Sequence, residues 1–324
     1  MYRMIARTLD GPDALVLEEA DRPVVGPGEI GIEARAIGCN FFDTLITRGK
    51  YQVQPDLPFT PGAEVAGVAY AVGEGVVGFS TGDRVAALVP YGAYASELAV
   101  PADRVFPIAN SVSFEDAAAT GLVYQTSHLA LVHRANLQPG ETLLVHAAAG
   151  GVGLAAVQIG AALGARVIGT AGTQDKLDLI AEQGASETIN YRKEDWVARV
   201  KALTDGRGAD VIYDPVGGDT FDLSTKCIAF EGRLLVVGFA SGRIPKAAMN
   251  RVLVKNFSLV GIHWGLYFDK DPDVLHGSQR ALSEMQARGQ IRPIVTGRYP
   301  LKDAAQALRA LADRRTTGKV VLIP

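Results

Sequence analysis

The sequence predicts an α/β protein in two parts, a small and mostly antiparallel β-barrel followed by a doubly wound parallel sheet. Three observations predict it. Up to Ser113 the chain reads as short strands punctuated by glycine and proline. Beyond Ser113, strand and helix patterns alternate. Across residues 142–170 a strand, a glycine turn, a long apolar helix and a second strand follow in the order of a βαβ unit.

Taken in order, Gly26-Pro27 marks a turn before residues 28–37, which alternate with period two. Residues 65–72 form a second strand candidate closed by Gly73-Glu74-Gly75, and residues 82–88 begin another. Ser113, three residues before Asp116, can cap a helix that enters an alanine-rich run. Helix candidates at 175–183, stopped by Gly184, and at 194–203 then separate strands at 166–170, 211–213, 234–237 and 258–262. Near the end, Ala304, Ala307, Leu308 and Leu311 share one helix face, and residues 319–323 close the chain as a strand.

The βαβ segment carries the most chemistry. After the strand at 142–145 comes Gly151-x-Gly153-x-x-Ala156, opening a helix. Gly151 is expected to make the tight turn, Gly153 to leave room for a phosphate, and Ala156 to let helix and strand pack closely. The helix N-terminus then directs N–H groups and its dipole at an anion, so a dinucleotide pyrophosphate is the expected ligand. A site for NAD needs an acidic residue about 20 positions beyond the first glycine, to hold the ribose 2′-hydroxyl. No acidic residue occurs from Leu154 to Gln174. The second strand ends instead in the small residues Thr170-Ala171-Gly172-Thr173, with Lys176 shortly after. A 2′-phosphate repels a carboxylate and pairs with an ammonium, so the cofactor is read as NADPH.

Composition narrows the function classes. Net charge is −3, from 32 basic and 35 acidic residues, with no basic cluster, so no nucleic-acid partner is expected. No apolar run reaches the ~18 residues of a membrane span. Arg3, Arg7, Asp10, Asp13, Glu18 and Glu19 leave no signal-peptide core, so a cytoplasmic protein is expected. Two cysteines, Cys39 and Cys227, suffice for neither a disulfide framework nor a cysteine-rich zinc site. Gly78-x-Ser80-x-Gly82 has the letters of a nucleophile elbow but lies among short strands with no helix after it. There is no P-loop and no Tyr-x-x-x-Lys pair. His128 and His133 stand about 140° apart on an α-helix, so no shared metal is expected.

These residues together resemble the quinone oxidoreductase branch of the medium-chain dehydrogenase/reductase superfamily, which includes zeta-crystallin and bacterial NADPH:quinone reductases. The resemblance runs nearly end to end. It is carried by Gly38-Cys39-Asn40-Phe41-Phe42-Asp43-Thr44, Pro61-Gly62-Ala63-Glu64-Val65-Ala66-Gly67, Gly82-Asp83-Arg84-Val85, the turn from Ala147 to Gly153, Tyr213-Asp214-Pro215-Val216-Gly217-Gly218 and Thr317-Gly318-Lys319-Val320-Val321. It implies a GroES-like catalytic domain from residues 1–121, completed by 264–324, and a Rossmann domain at 122–263. Zinc alcohol dehydrogenases carry a ligand cysteine where this chain has Asn40 and a ligand histidine where it has Ala63, so no metal is expected. Cys39 is read as a small buried hydrophobe.

Carried over position by position, the resemblance places Ala149, Gly150, Gly151, Val152 and Gly153 at the pyrophosphate. Gly172, Lys176 and Tyr191 fall at the 2′-phosphate end. Phe239, Ala240, Ser241, Ile262, His263 and Trp264 fall along the nicotinamide half, with Thr126, Asn40 and Lys319 as further cofactor contacts. Asn40 and Tyr51 are the catalytic candidates, as donors to the oxyanion that grows when hydride reaches a quinone or the C=C bond of an enone, with the last proton from Tyr51 or water. An enoyl thioester acceptor, or an NADPH-binding protein with little turnover, stays open. A homodimer is expected, with residues 258–262 as the pairing sheet edge.

Overall fold

The strand Glu29–Cys39 organises the first of two units into which the chain divides, described over residues 1–324 in a computed structural model. The first unit comprises Met1–Leu122 and Pro293–Pro324, the second Val123–Arg292. Alternating isoleucine and alanine give Glu29–Cys39 one buried face, and bulges at Gly31/Ile32 and Ala34/Ala36 bend it. It pairs antiparallel with Glu64–Val72 along its length, with Glu97–Pro101 near its start and with Lys319–Ile323 near its end. Arg84–Leu88 and Val105–Pro107 continue the sheet on one side and Val295–Pro300, the parallel exception, on the other. The expected antiparallel unit is therefore a seven-stranded sheet in which the last strand of the chain lies between Val295–Pro300 and Glu29–Cys39.

Its core combines Ile30, Ile32, Ile37, Val65 and Val85 with Ala304, Ala307 and Leu308 of the helix Ala304–Ala312. The amphipathic face read from the sequence is the face that packs, with Leu311 at its margin. A separate two-stranded ribbon, Tyr2–Ala6 with Leu15–Glu19, has no counterpart among the expected strands. Ser80 lies in the turn between strands, where its N–H donates to Asp83 Oδ2 at 2.7 Å, as the serine of an ordinary turn does.

The second unit contains six parallel strands in the order Glu187–Asn190, Arg166–Ala171, Thr142–Val145, Ala209–Asp214, Ile228–Val236 and Ser258–Gly261. Numbered by chain order this is 3-2-1-4-5-6, a Rossmann sheet with its switch point between Thr142–Val145 and Ala209–Asp214. Leu144, Ile168, Ile189, Ile212 and Leu234 fill its core. Ser113 caps as expected, its Oγ accepting from Asp116 N at 3.0 Å, at the start of the helix Phe114–His128. That helix continues as a π-turn over Leu129–Arg134, so α-helical spacing does not relate His128 to His133. The two are separate all the same, His128 on Ser278 Oγ and His133 edge-on to the Tyr267 ring.

The expected boundary at residue 264 is displaced. The helix Pro272–Ala287 belongs to the second unit, held by Ser278 to His128 and by Gln279 to Gln125, whose amide donates at 2.8 Å.

The glycine turn also differs in its reasons. The left-handed residue is Ala147, at φ 48°, while Gly151 is already the first helical residue. A side chain at Gly153 would place Cβ 2.3 Å from Ala147 O and 2.8 Å from Ala148 Cα. Gly153 thus makes room for the turn itself rather than directly for a phosphate. Gly153→Ala should lower stability by about 1–3 kcal/mol, the range of an overpacked core site. Thermal unfolding checks this, and an unchanged midpoint contradicts it.

Candidate cofactor and active-site residues

The turn from His146 to Gly150 is tied down on both sides. Ala148 N donates to Thr170 O at 3.1 Å and Gly150 N to Ala147 O at 2.9 Å. Gly150 is the N-cap of the helix Gly151–Ala162, and no side chain caps it. Ala149, Gly151 and Val152 therefore stand where uncapped backbone N–H groups and the helix dipole can take an anion, while the Gly150 N–H is spent on the turn. Ser127 Oγ braces the first turn by donating to Val152 O at 2.9 Å. His146 is structural. It is buried between Thr170 Oγ1 and Ser224 Oγ, with its ring edge-on to Trp196, and burial pushes its pKa down to about 3.

At the end of Arg166–Ala171, Gly172 is bordered by two side chains from beyond the neighbouring strand. A Cβ built on Gly172 would lie 2.8 Å from the Tyr191 hydroxyl and 2.9 Å from Arg192 Nε. The structure thus brings Gly172 and Tyr191 together and adds Arg192, which the sequence reading passed over. Its only signal is a basic residue directly after the tyrosine. Lys176 lies in the first turn of the helix Gln174–Glu182, whose N-cap Thr173 makes no side-chain bond. With no carboxylate at the strand end, this region suits a phosphate better than a free ribose hydroxyl.

Beyond the next two strands the loops are laced together. Asp214, buried, accepts from Val216 N and Gly217 N at 2.8 and 3.0 Å, while Ala240 N donates to Pro215 O and Ser241 N to Val216 O. Phe239, Ala240 and Ser241 thereby form one rim with residues 215–218 at the carboxyl ends of the strands. Ile262 N donates to Val236 O just past the edge strand. His263 Nδ1 accepts from Leu266 N, and Trp264 Nε1 donates to Gln125 Oε1 at 3.1 Å, next to the buried Thr126.

The first unit holds a buried polar cluster. Asn40 N donates to Asp43 Oδ2 and Asn40 Nδ2 to Glu64 Oε1, both at 2.8 Å. Lys319, 3% exposed, donates to Asn40 Oδ1 at 2.7 Å, Cys39 O at 2.9 Å and Glu64 Oε1 at 2.5 Å. An ammonium has three donors, and all three are used. The lysine expected to contact the cofactor thus spends all three donors within this cluster. Tyr51 packs at 5.0 Å from the Phe42 ring, and burial, with Asp43 nearby, raises its pKa.

Asp43 is the residue missed in this unit. It is fully buried, takes Tyr94 OH on Oδ2 at 2.9 Å, and its Oδ1 has no partner. Burial pushes its pKa up to about 7, against the lowering effect of those hydrogen bonds. Zinc does not fit here. Ala63 offers no donor, the Asn40 amide oxygen is taken by Lys319, burial pushes the Cys39 thiol up to about 12, and no three His, Cys, Asp or Glu side chains converge.

A carboxyl with its folded pKa above its unfolded one is stabilising while protonated. That contribution is complete below the ordinary value of 3.8 and is lost as pH rises through about 7. Asp43→Asn should therefore flatten the loss of thermal stability between about pH 5 and pH 8 relative to wild type. Parallel profiles for the two proteins contradict the assignment.

Comparison with known proteins agrees with this layout. Residues 26–110 match the alcohol dehydrogenase GroES-like domain, and residues 151–276 match the family described as zinc-binding dehydrogenase. The quinone oxidoreductase-like protein 2 homolog of Nematostella vectensis is 40% identical over 99% of this chain and 88% of its own length. A quinone oxidoreductase of Pseudomonas aeruginosa is 40% identical over 97% of each. The structure of Escherichia coli quinone oxidoreductase complexed with NADPH superposes with a TM-score of 0.94 at 36% identity, covering 100% of both chains.

Proposed function

The chain belongs to the quinone oxidoreductase branch of the medium-chain dehydrogenase/reductase superfamily, and from that premise we propose that it reduces a quinone, or the C=C bond of an α,β-unsaturated carbonyl, with NADPH. The observation that carries the reading is the uncapped helix N-terminus at Gly150 beside a strand end without acidic residues, bordered by Tyr191 and Arg192. Bound NADPH supplies a hydride, balanced by one proton taken up at the acceptor.

The chain's own residues do the rest. The free N–H groups of Gly151 and Val152 hold the pyrophosphate, with Gly150 fixing the turn through its bond to Ala147 O, while Lys176, Tyr191 and Arg192 take the 2′-phosphate. Phe239, Ala240, Ser241, Ile262, His263, Trp264 and Thr126 line the nicotinamide half. Asn40 donates a hydrogen bond to the growing oxyanion, and Tyr51 donates to it or passes it a proton. Its raised pKa keeps Tyr51 protonated, as a donor must be. No step runs through zinc, since the residues do not fit one.

The edge strand Ser258–Gly261 is hydrogen-bonded on one side only, by Ile228–Val236, and we propose that it pairs with a second copy. A monomeric mass in light scattering contradicts this. No helix is long and apolar enough to cross a membrane. A cytoplasmic location is part of the proposal, as is the absence of a nucleic-acid partner, which rests on the net charge of −3.

To test the function, NADPH absorbance is followed with 1,2-naphthoquinone, a simple enone and an enoyl thioester in turn. Consumption with a quinone or enone supports the reading. Thermal stabilisation by NADPH without consumption of it contradicts enzymatic function and leaves a binding protein. Asn40→Ala should lower kcat about 100- to 1,000-fold and Tyr51→Phe less, by analogy with single oxyanion donors. If neither changes turnover, both assignments fail.

A further inference from the structure

Asn40 is gripped at three polar atoms, and its partners leave it one donor to spare. The backbone N–H goes to Asp43, one amide N–H goes to Glu64, and the amide oxygen receives the Lys319 ammonium. An ammonium only donates and a carboxylate only accepts. Turning the amide over would set its NH2 group against the ammonium and its oxygen against the carboxylate. One orientation alone satisfies both neighbours, and in it a second Nδ2–H remains. The neighbours are themselves held, since Glu64 Oε2 takes Leu122 N at 2.8 Å and Lys319 also binds Cys39 O.

Stability alone does not account for this arrangement. A buried ion pair is often no better for stability than apolar residues of the same volume. The pair does something apolar residues cannot: it gives an amide a defined polarity.

We propose that Lys319 and Glu64 are positioning residues for the reaction, a buried pair that locks the Asn40 amide so that its remaining N–H is the one offered to the acceptor's oxyanion. The inference rests on the reading of Asn40 as the oxyanion donor. It moves Lys319 from cofactor binding to the control of that donor.

The test compares wild type, Asn40→Ala, Lys319→Met and the double variant Asn40→Ala/Lys319→Met. Each is measured for kcat with 1,2-naphthoquinone at saturating NADPH and for NADPH Kd by fluorescence titration. Lys319→Met should lower kcat about 10- to 100-fold while Kd stays within about 3-fold, as expected when a transition-state contact is lost and ground-state binding is kept. In the Asn40→Ala background the same substitution should cost less than about 2-fold, because two residues acting through one contact are not additive. Should Lys319→Met fail to fold, Glu64→Gln/Lys319→Met, which leaves no orphan charge, takes its place in the same comparison.

A Kd raised about 10-fold or more with kcat retained would show Lys319 to be a cofactor ligand and overturn the proposal. So would an equal loss of kcat with and without Asn40, or an unchanged kcat in Lys319→Met while Asn40→Ala is slow. If Asn40→Ala itself turns over normally, the functional reading of Asn40 falls, and this inference with it.

Discussion

An ammonium buried as deeply as that of Lys319 survives in a folded protein only if every proton on it finds an acceptor. Here the acceptors are Cys39 O, the Asn40 amide oxygen and a Glu64 carboxylate oxygen. Cys39 stands 280 residues before the lysine. The last strand therefore does more than complete a sheet. It delivers the charge that Glu64 requires, while Glu64 and the end of Glu29–Cys39 deliver what the lysine requires. Removing either partner alone leaves an unpaired buried ion, at a cost of about 3–5 kcal/mol. Asn40 sits inside the arrangement, and its amide polarity follows from it.

The second unit solves a different electrostatic problem with backbone and cations. A dinucleotide phosphate brings charge that must be met without a metal, and the uncapped N-terminus at Gly150 offers donors already fixed by the turn. The tightness of that turn depends on Ala147 in a left-handed conformation and on the missing side chain at Gly153. At the far end, Tyr191 and Arg192 close around Gly172, where an acidic residue would otherwise select a free ribose hydroxyl. Neither unit assembles a cluster of metal-ligating side chains, and the chemistry proposed for this chain runs on the cofactor and the donors aimed at the acceptor.

Local pattern made the parallel sheet legible, because buried strands such as Thr142–Val145 and Arg166–Ala171 announce themselves as apolar runs bounded by glycine. The Ser113 cap and the Ala304–Ala312 face were legible for the same reason, since a cap or a face involves residues a turn or two apart. What failed depends on long-range pairing. The family resemblance put Pro272–Ala287 in the first unit, whereas Ser278 and Gln279 reach His128 and Gln125 across about 150 residues of sequence. Lys319 was read as a cofactor contact from its place in a motif, and only the fold shows its donors consumed. Asp43 stood in a quoted motif without drawing notice, because an aspartate shows its burial only when the neighbours closing over it are known. Gly153 was read as leaving room for a phosphate, whereas in the fold a side chain there would clash with the turn's own carbonyl.

The account as a whole makes the cofactor the chemical agent and its 2′-phosphate the feature that is recognised. The most direct test is the ratio of kcat/KM for NADPH to that for NADH, measured on the wild-type protein with a single quinone acceptor. The account predicts turnover with NADPH favoured by at least about 10-fold, the scale of one well-placed charged hydrogen bond. Equal efficiency with the two cofactors, or a preference for NADH, would contradict it.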